Sequence, residues 1–466
     1  MQDISLKIEE LREELIKDTQ KILKIKSVEI KEEVGVSYRP FGKGIGEALE
    51  FALALCKDFG FRTVNMDGYI GYAEYGEGEE YVGVLGHLDV VPEGDGWTYP
   101  PYKAEIHDNK IYARGTLDDK GPLMAALYGL RAIKELNLQL SKKVRIIFGT
   151  NEETGYDDIE YYVKREKPPV SGFTPDADFP VIFAEKGIAI LNFIKRVKGS
   201  LGEYNILKLF GGNRPNMVPD FCTVLIQCDD PGSLIHIAEE FGEKIGFVFK
   251  GTLLEGNVQI KSFGKSAHGS TPELGKNAIM AMFSFLGEII KKRSELGDFI
   301  NFFYSKIGFE TRGESLGIAI SDEPSGALIQ NIGMVDFDGE RISLISNVRF
   351  PVTFSMDQVE NLIREKLKGT GINLINLAYD NPLYYEKNNP LIKKLLKVYE
   401  EETGEIIEPL AIGTSTYAKS IPNIVAYGPI FPGDPDLDHQ PDEYIEIEKL
   451  VLCSKIYGNA IYELAR

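Results

Sequence analysis

The stretch YVGVLGHLDVVPEGDGW, residues 81–97, joins a short apolar run to His87, one of only five histidines in the chain, with Asp89 two positions beyond it. An unbroken apolar run of this length, ended by turn residues, reads as a strand buried on both faces. Further along, PLMAALYGLRAIKEL (122–136) sets Leu123, Leu127 and Leu130 on one helical face, and KVRIIFGT (143–150) and FPVIFAEKG (179–187) repeat the apolar run. Apolar runs separated by helices predict an α/β domain around a central, mostly parallel sheet, whose ligands collect at the carboxyl ends of the strands. His87 and the pair Glu152–Glu153 fall at or just past such strand ends.

The texture changes between about residues 188 and 380. GNVQIKSFGK (256–265) and RISLISNVRF (341–350) alternate polar and apolar residues, as half-exposed strands do. This segment reads as an inserted α+β lid domain whose halves, each strand, loop, strand and helix, are similar enough to suggest internal duplication. Helix and strand alternation returns with PLIKKLLKVYEEETG (390–404) and IVAYGPI (424–430). Residues 1–187 and 381–466 are therefore expected to form one domain and residues 188–380 the insertion.

A chain of 466 residues exceeds what one hydrophobic core usually serves. Its net charge of −19 argues against nucleic-acid partners and anionic membranes, which need clustered Lys and Arg. Cys56, Cys222, Cys228 and Cys453 form no C-x-x-C pair, so reduced thiols are expected. Ile8, Leu11, Leu15 and Ile22 mark an amphipathic N-terminal helix with charge throughout, unlike a signal peptide. With no apolar stretch of membrane length, a cytoplasmic protein is expected.

Five segments carry candidate chemistry: GHLDVVP with His87 and Asp89, ARGTLDDKGP with Asp118 and Asp119, TNEETG with Glu152 and Glu153, FTPDADFP with Asp176 and Asp178, and DLDHQPDE with His439. Each alone has a bland reading, as a helix cap, a solvated turn or strand-end punctuation; their ordered co-occurrence does not. Imidazoles with carboxylates suit zinc, manganese or cobalt. Two histidines and three carboxylates can hold two cations about 3.5–4 Å apart, which polarise a carbonyl and acidify a water. A carboxylate outside the ligand set must then take the proton, and the glutamate pair supplies a spare. Asp89 lies on the same side of an extended segment as His87 and is placed to accept its second N–H.

The ordered set G-H-x-D-x-V-P, R-G-x-x-D-D-K-G, E-E-x-G, P-D and a late histidine resembles the co-catalytic di-zinc peptidase family, which includes aminoacylase, carboxypeptidase G and carnosinase-type dipeptidases. The likeness runs over nearly the whole chain and is greatest to the bacterial dipeptidase V branch. The resemblance implies His87 and Asp176 on one metal, Glu153 and His439 on the other, and Asp118 bridging. It implies Glu152 as general base and then acid, with Asp89 orienting His87. FGKSAHGSTPELGKNA (263–278) resembles the family segment whose histidine meets the oxyanion, here His268. Asn216 and Arg349 fall where that branch holds the substrate carboxylate and transition state. Where the branch carries an arginine after T-Y-A, this chain has Lys419, which lacks the planar two-pronged fork. His107 and His236 match nothing and are expected on the surface.

The resemblance implies a monomeric dipeptidase acting on small peptides through two divalent metal ions, zinc first and manganese or cobalt otherwise. A deacylase of N-acyl amino acids and a silent peptide-binding relative are the alternatives.

Overall fold

The computed structural model describes residues 2–30, 39–197, 203–290 and 294–466, and its contacts divide the chain into two compact units. One comprises residues 1–183, 384–411 and 415–466; the other comprises residues 184–383 and 412–414.

The first unit is built on the strand Tyr81–His87, buried along its whole length. It pairs in parallel with Lys143–Gly149 on one side and Ser171–Thr174 on the other, and Ile424–Ala426 continues the parallel set. The antiparallel hairpin Arg62–Met66 and Ile70–Tyr75 closes the sheet beyond Lys143–Gly149, so the six-stranded sheet is mixed. The apolar run Ile182–Glu185 is not part of this sheet. The short Ser171–Thr174 takes the place expected for it, because an apolar run reports burial without naming the sheet that provides it.

Helices Lys120–Glu135 and Ile447–Ala465 cross where Gly129 faces Gly458; a Cβ on Gly129 would lie 2.7 Å from the Gly458 backbone. The N-terminal amphipathic segment forms two helices, Gln2–Glu10 and Arg12–Leu23, meeting at Leu11. Ile8, Leu11, Leu15 and Ile22 are buried, as their spacing requires. Cys56, Cys222 and Cys453 are buried free thiols, and Cys228 is half-buried and free.

The second unit holds one continuous eight-stranded sheet. Its order is Val248–Leu254, Asn257–Phe263, Phe221–Gln227, Asn205–Gly211, Ile329–Phe337, Arg341–Phe350, Gly187–Arg196 and Asn373–Asp380, and every neighbouring pair is antiparallel. Gly187–Arg196 alternates buried and half-buried residues, as a half-exposed strand should. Ala189, Leu191 and Phe193 join a core with Phe283 and Phe285 of helix Ala278–Ile289 and with Phe299 and Phe303 of helix Glu295–Lys306. Helix Met356–Leu367 opens with a capping box between Ser355 and Gln358.

Candidate metal centre

The parallel strands bring three of the five segments to one rim. His87 ends the central strand opposite Gly149, Glu152 and Glu153 follow the end of Lys143–Gly149, and Asp176 follows the end of Ser171–Thr174. Asp118 precedes helix Lys120–Glu135, and its peptide bond to Asp119 is cis. Asp119 occupies the helix N-cap position without a side-chain capping bond; its Oδ2 instead accepts the His87 backbone N–H at 3.1 Å. The fifth segment contributes His439 from a backbone turn with φ of 63°.

These residues make two trios that share Asp118. His87 Nε2 lies 2.9 Å from Asp118 Oδ1 and 3.7 Å from Asp176 Oδ2. His439 Nε2 lies 2.9 Å from Asp118 Oδ2 and 3.2 Å from Glu153 Oε2. Each trio offers one nitrogen and two oxygens within 4.8 Å of one another. His87 Nε2 and Glu153 Oε1 are buried and have no well-aligned hydrogen-bond partner among the described residues. An orphaned imidazole nitrogen in one trio and an orphaned carboxylate oxygen in the other, each among further carboxylate oxygens, fit a divalent cation in each.

The electrostatics agree. Burial alone would lower His439, but its contacts with Asp118 and Glu153 outweigh that and raise it to about 12. Burial opposes the Asp118 charge too, yet His439 and His87 hold its carboxyl well below the usual range. Glu153 is pushed up to about 7 by burial and by the Asp118 charge. Carboxylates packed this closely need positive charge, and among the described residues the two imidazoles in contact with them provide it.

Glu152 is half-buried beside the trios and outside both of them. Burial pushes its carboxyl well above the ordinary value, with the charges of Asp176, Glu153 and Asp118 adding to the shift. Its Oε1 accepts the Tyr156 hydroxyl at 3.0 Å.

Asp89 faces both His87 and the turn that carries the two glutamates. His87 Nδ1 meets the backbone carbonyl of Asp89 at 2.9 Å, whereas the Asp89 carboxylate is 3.6 Å away. That carboxylate accepts the backbone N–H groups of Glu152 at 3.2 Å and Glu153 at 3.0 Å. Asp158 grips the same turn from its other end, accepting Thr150 N at 2.6 Å and Asn151 N at 3.2 Å, and also the buried Tyr417 hydroxyl at 2.5 Å. Neither Tyr156, Asp158 nor Tyr417 stood out in the sequence, although Tyr417 lies two residues before Lys419 in the short helix Tyr417–Lys419.

In the second unit, the segments bearing His268 and Asn216 run side by side: Gly269 N donates to Asn216 O at 2.7 Å, and Met217 bridges His268. His268 Nδ1 lies 2.6 Å from the Ser270 hydroxyl. Gly413 joins this group to Arg349: a Cβ on Gly413 would lie 3.6 Å from Ser270 Cβ and 3.8 Å from Arg349 Cδ. Arg349 is buried and donates to Asn347 Oδ1 at 3.1 Å and to the Gly413 carbonyl, with no carboxylate in ion-pair reach among the described residues. Burial lowers it to about 10. Asp178 belongs to neither trio. His107 pairs with Glu105 and stacks on Tyr99, and His236 pairs with Glu240 on an exposed helix face. Among the described residues no helix is long and apolar enough to cross a membrane.

Comparison with known proteins follows the same line. "Putative dipeptidase YtjP" of Bacillus subtilis (strain 168) is 39% identical over 463 residues, covering 98% of each chain. A Staphylococcus epidermidis relative, also named as a "Putative dipeptidase", is 35% identical over 465 residues, again with 98% of each covered. Among solved structures, human carnosine dipeptidase 1 has a TM-score of 0.57 at 15% identity, covering 99% of both chains. The dipeptidase Dug1p of Saccharomyces cerevisiae has a TM-score of 0.58 at 13% identity, covering 99% of this chain and 98% of its own. At these identities the structural likenesses establish the shared fold. The sequence profile described as Peptidase family M20/M25/M40 matches residues 83–463, a span that takes in every residue of both trios. The chain belongs to peptidase family M20/M25/M40.

Proposed function

We propose that this chain is a metal-dependent dipeptidase that binds two divalent cations, zinc first and manganese or cobalt otherwise. His87 and Asp176 hold one, Glu153 and His439 the other, and Asp118 bridges them. The observation that carries the reading is the pair of trios sharing Asp118, with the carboxyl of Glu152 beside both and belonging to neither. Cations held there would polarise a peptide carbonyl and acidify a water near neutral pH. Glu152 takes that water's proton on its carboxylate and returns it to the departing amine. Asp89 and Asp158 hold the turn that carries Glu152, and Tyr156 fixes its Oε1. In the second unit, His268 is assigned to the developing oxyanion. Arg349 and Asn216 are assigned to the substrate's charged end, with Lys419 of the first unit beside them in role.

A buried guanidinium without a counter-carboxylate costs several kcal/mol unless an anion meets it, which supports an anionic substrate group at Arg349. The mirrored strand order about the Asn205–Gly211 and Ile329–Phe337 pair supports duplication of the inserted domain. Its halves run strand, strand, helix, strand: 205–211, 221–227, 231–245, 248–254 and 329–337, 341–350, 356–367, 373–380.

The test is removal of metal with a chelator and restoration with zinc, manganese or cobalt. Hydrolysis of dipeptides should disappear and return, saturating near two equivalents. Hydrolysis of N-acyl amino acids alone would replace the reading with a deacylase. Tight peptide binding without turnover of either substrate class would replace it with a binding protein.

A further inference from the structure

The loop that carries Asp118 and the loop that carries His439 meet at a buried hub built around one carboxylate. Glu443, four residues beyond His439, is wholly buried, and so is Arg114. Glu443 Oε2 accepts Arg114 Nη1 at 2.7 Å and Gly115 N at 3.1 Å. Its Oε1 accepts Leu117 N at 2.8 Å and lies 3.1 Å from the Thr116 hydroxyl. Three of the four residues leading to Asp118 thus donate to one carboxylate, and the hydroxyl of the fourth, Thr116, lies between that carboxylate and Ala113 O at 2.9 Å. Main chain adds to the grip, since Ala113 N donates to Glu443 O at 3.1 Å.

Arg114 carries the hub further. It donates to Gln440 O at 3.2 Å and to Glu93 O at 3.3 Å, and its guanidinium lies over the Trp97 ring. Asp442 Oδ1 accepts Thr98 N at 2.7 Å. The loop after His87, the loop before Asp118 and the loop after His439 are therefore tied at one point. Backbone freedom is spent there too: Gly115 has φ of +90°, and a Cβ on it would press on Val90 and Lys120. Two loops distant in sequence keep side chains at hydrogen-bond separation only if something fixes one against the other, and this hub does so for Asp118 and His439.

We propose that Glu443 is a positioning residue for the metal centre: its grip on residues 114–117 sets the separation of Asp118 and His439, and hence the affinity for the cation held with Glu153. This rests on the two-cation reading above. A carboxylate that orients ligand-bearing segments without touching metal is commonly worth about 10–100-fold in metal affinity.

The measurement is calorimetric metal binding to the full chain after chelator treatment, alongside the melting temperature of the metal-free protein. Glu443→Gln should weaken one of the two equivalents about 10–100-fold. Because this change also strands the Arg114 charge, the double variant Arg114→Met/Glu443→Gln removes both charges and should recover metal-free stability without recovering affinity. In a His439→Ala background, Glu443→Gln should cause no further loss, since the two act on the same cation. Wild-type affinity in the stable double variant overturns the proposal and leaves Glu443 as a fold residue only. Independent, additive losses in the His439→Ala background overturn it as well. Fewer than two equivalents in the wild-type chain would defeat the two-cation reading itself, and that result is read before any variant is compared.

Discussion

At the scale of the residue, Glu152 and Glu153 are neighbours with opposite duties, and their surroundings separate them. Glu153 faces His439 at 3.2 Å within a trio, while Glu152 faces the Tyr156 hydroxyl at 3.0 Å. Glu152→Gln keeps the shape and the acceptor for Tyr156 but removes the site that takes a proton. It should lower kcat by about 10²–10⁴ and leave metal stoichiometry at the wild-type value. An unchanged kcat would remove Glu152 from the proton-transfer role. Asp89 supports the same turn from beneath. Asp89→Asn offers one oxygen where two backbone N–H groups, those of Glu152 and Glu153, now find an acceptor each. It should reduce kcat about 10-fold while the metal at His87 stays tightly bound, because the Asp89 carbonyl that meets His87 Nδ1 is untouched. Metal loss from the His87 trio with undiminished turnover per bound metal would show that the carboxylate serves His87 instead.

At the scale of the element, the site depends on how closely helix Lys120–Glu135 lies against helix Ile447–Ala465. Gly129 and Gly458 let the two backbones approach, and a Cβ on Gly129 would also lie 3.1 Å from Ser454 O. Gly129→Ala gains up to about 1 kcal/mol in intrinsic helix propensity. The backbone clash outweighs this, so net destabilisation of about 1–3 kcal/mol is expected in urea unfolding. Equal or greater stability would show that the helices separate without cost. The legibility of the elements follows a similar physical logic. Tyr81–His87 was plain in the sequence because burial on both faces leaves it an unbroken apolar run as far as His87. Ser171–Thr174 was not, being four residues with polar ends that only its neighbours make a strand. The five segments were legible because imidazoles and carboxylates in that order suit metal chemistry, and the resemblance to the peptidase family picked the trio residues within them. The supports were not, because Tyr417 and Asp158 lie 259 residues apart and nothing in either window names the other. Glu443 stood within the quoted DLDHQPDE segment, yet its partners 114–117 become visible only in the fold.

At the scale of the whole molecule, the chain carries a net charge of −19, and part of that excess is gathered in one unit around the trios. Asp118, Glu153, Asp176 and Glu152 are drawn together there against two imidazoles. The second unit has its own apolar core, with Phe193, Phe283 and Leu344 fully buried, and contributes to neither trio. Metal binding should therefore stabilise the units unequally. At a free concentration 100-fold above the dissociation constant, each cation adds about 2.7 kcal/mol to the unit that binds it. In scanning calorimetry, stripping metal should lower one transition by roughly 5–10 °C per site and leave the other in place. Leu344→Ala, a core truncation costing about 2–5 kcal/mol, should lower the metal-insensitive transition and so identify it as the second unit. If both transitions fell together on stripping, the stability supplied by metal would be shared across the chain. If neither moved, the packed carboxylates of the rim would be tolerated without a cation, and the argument from charge would fail.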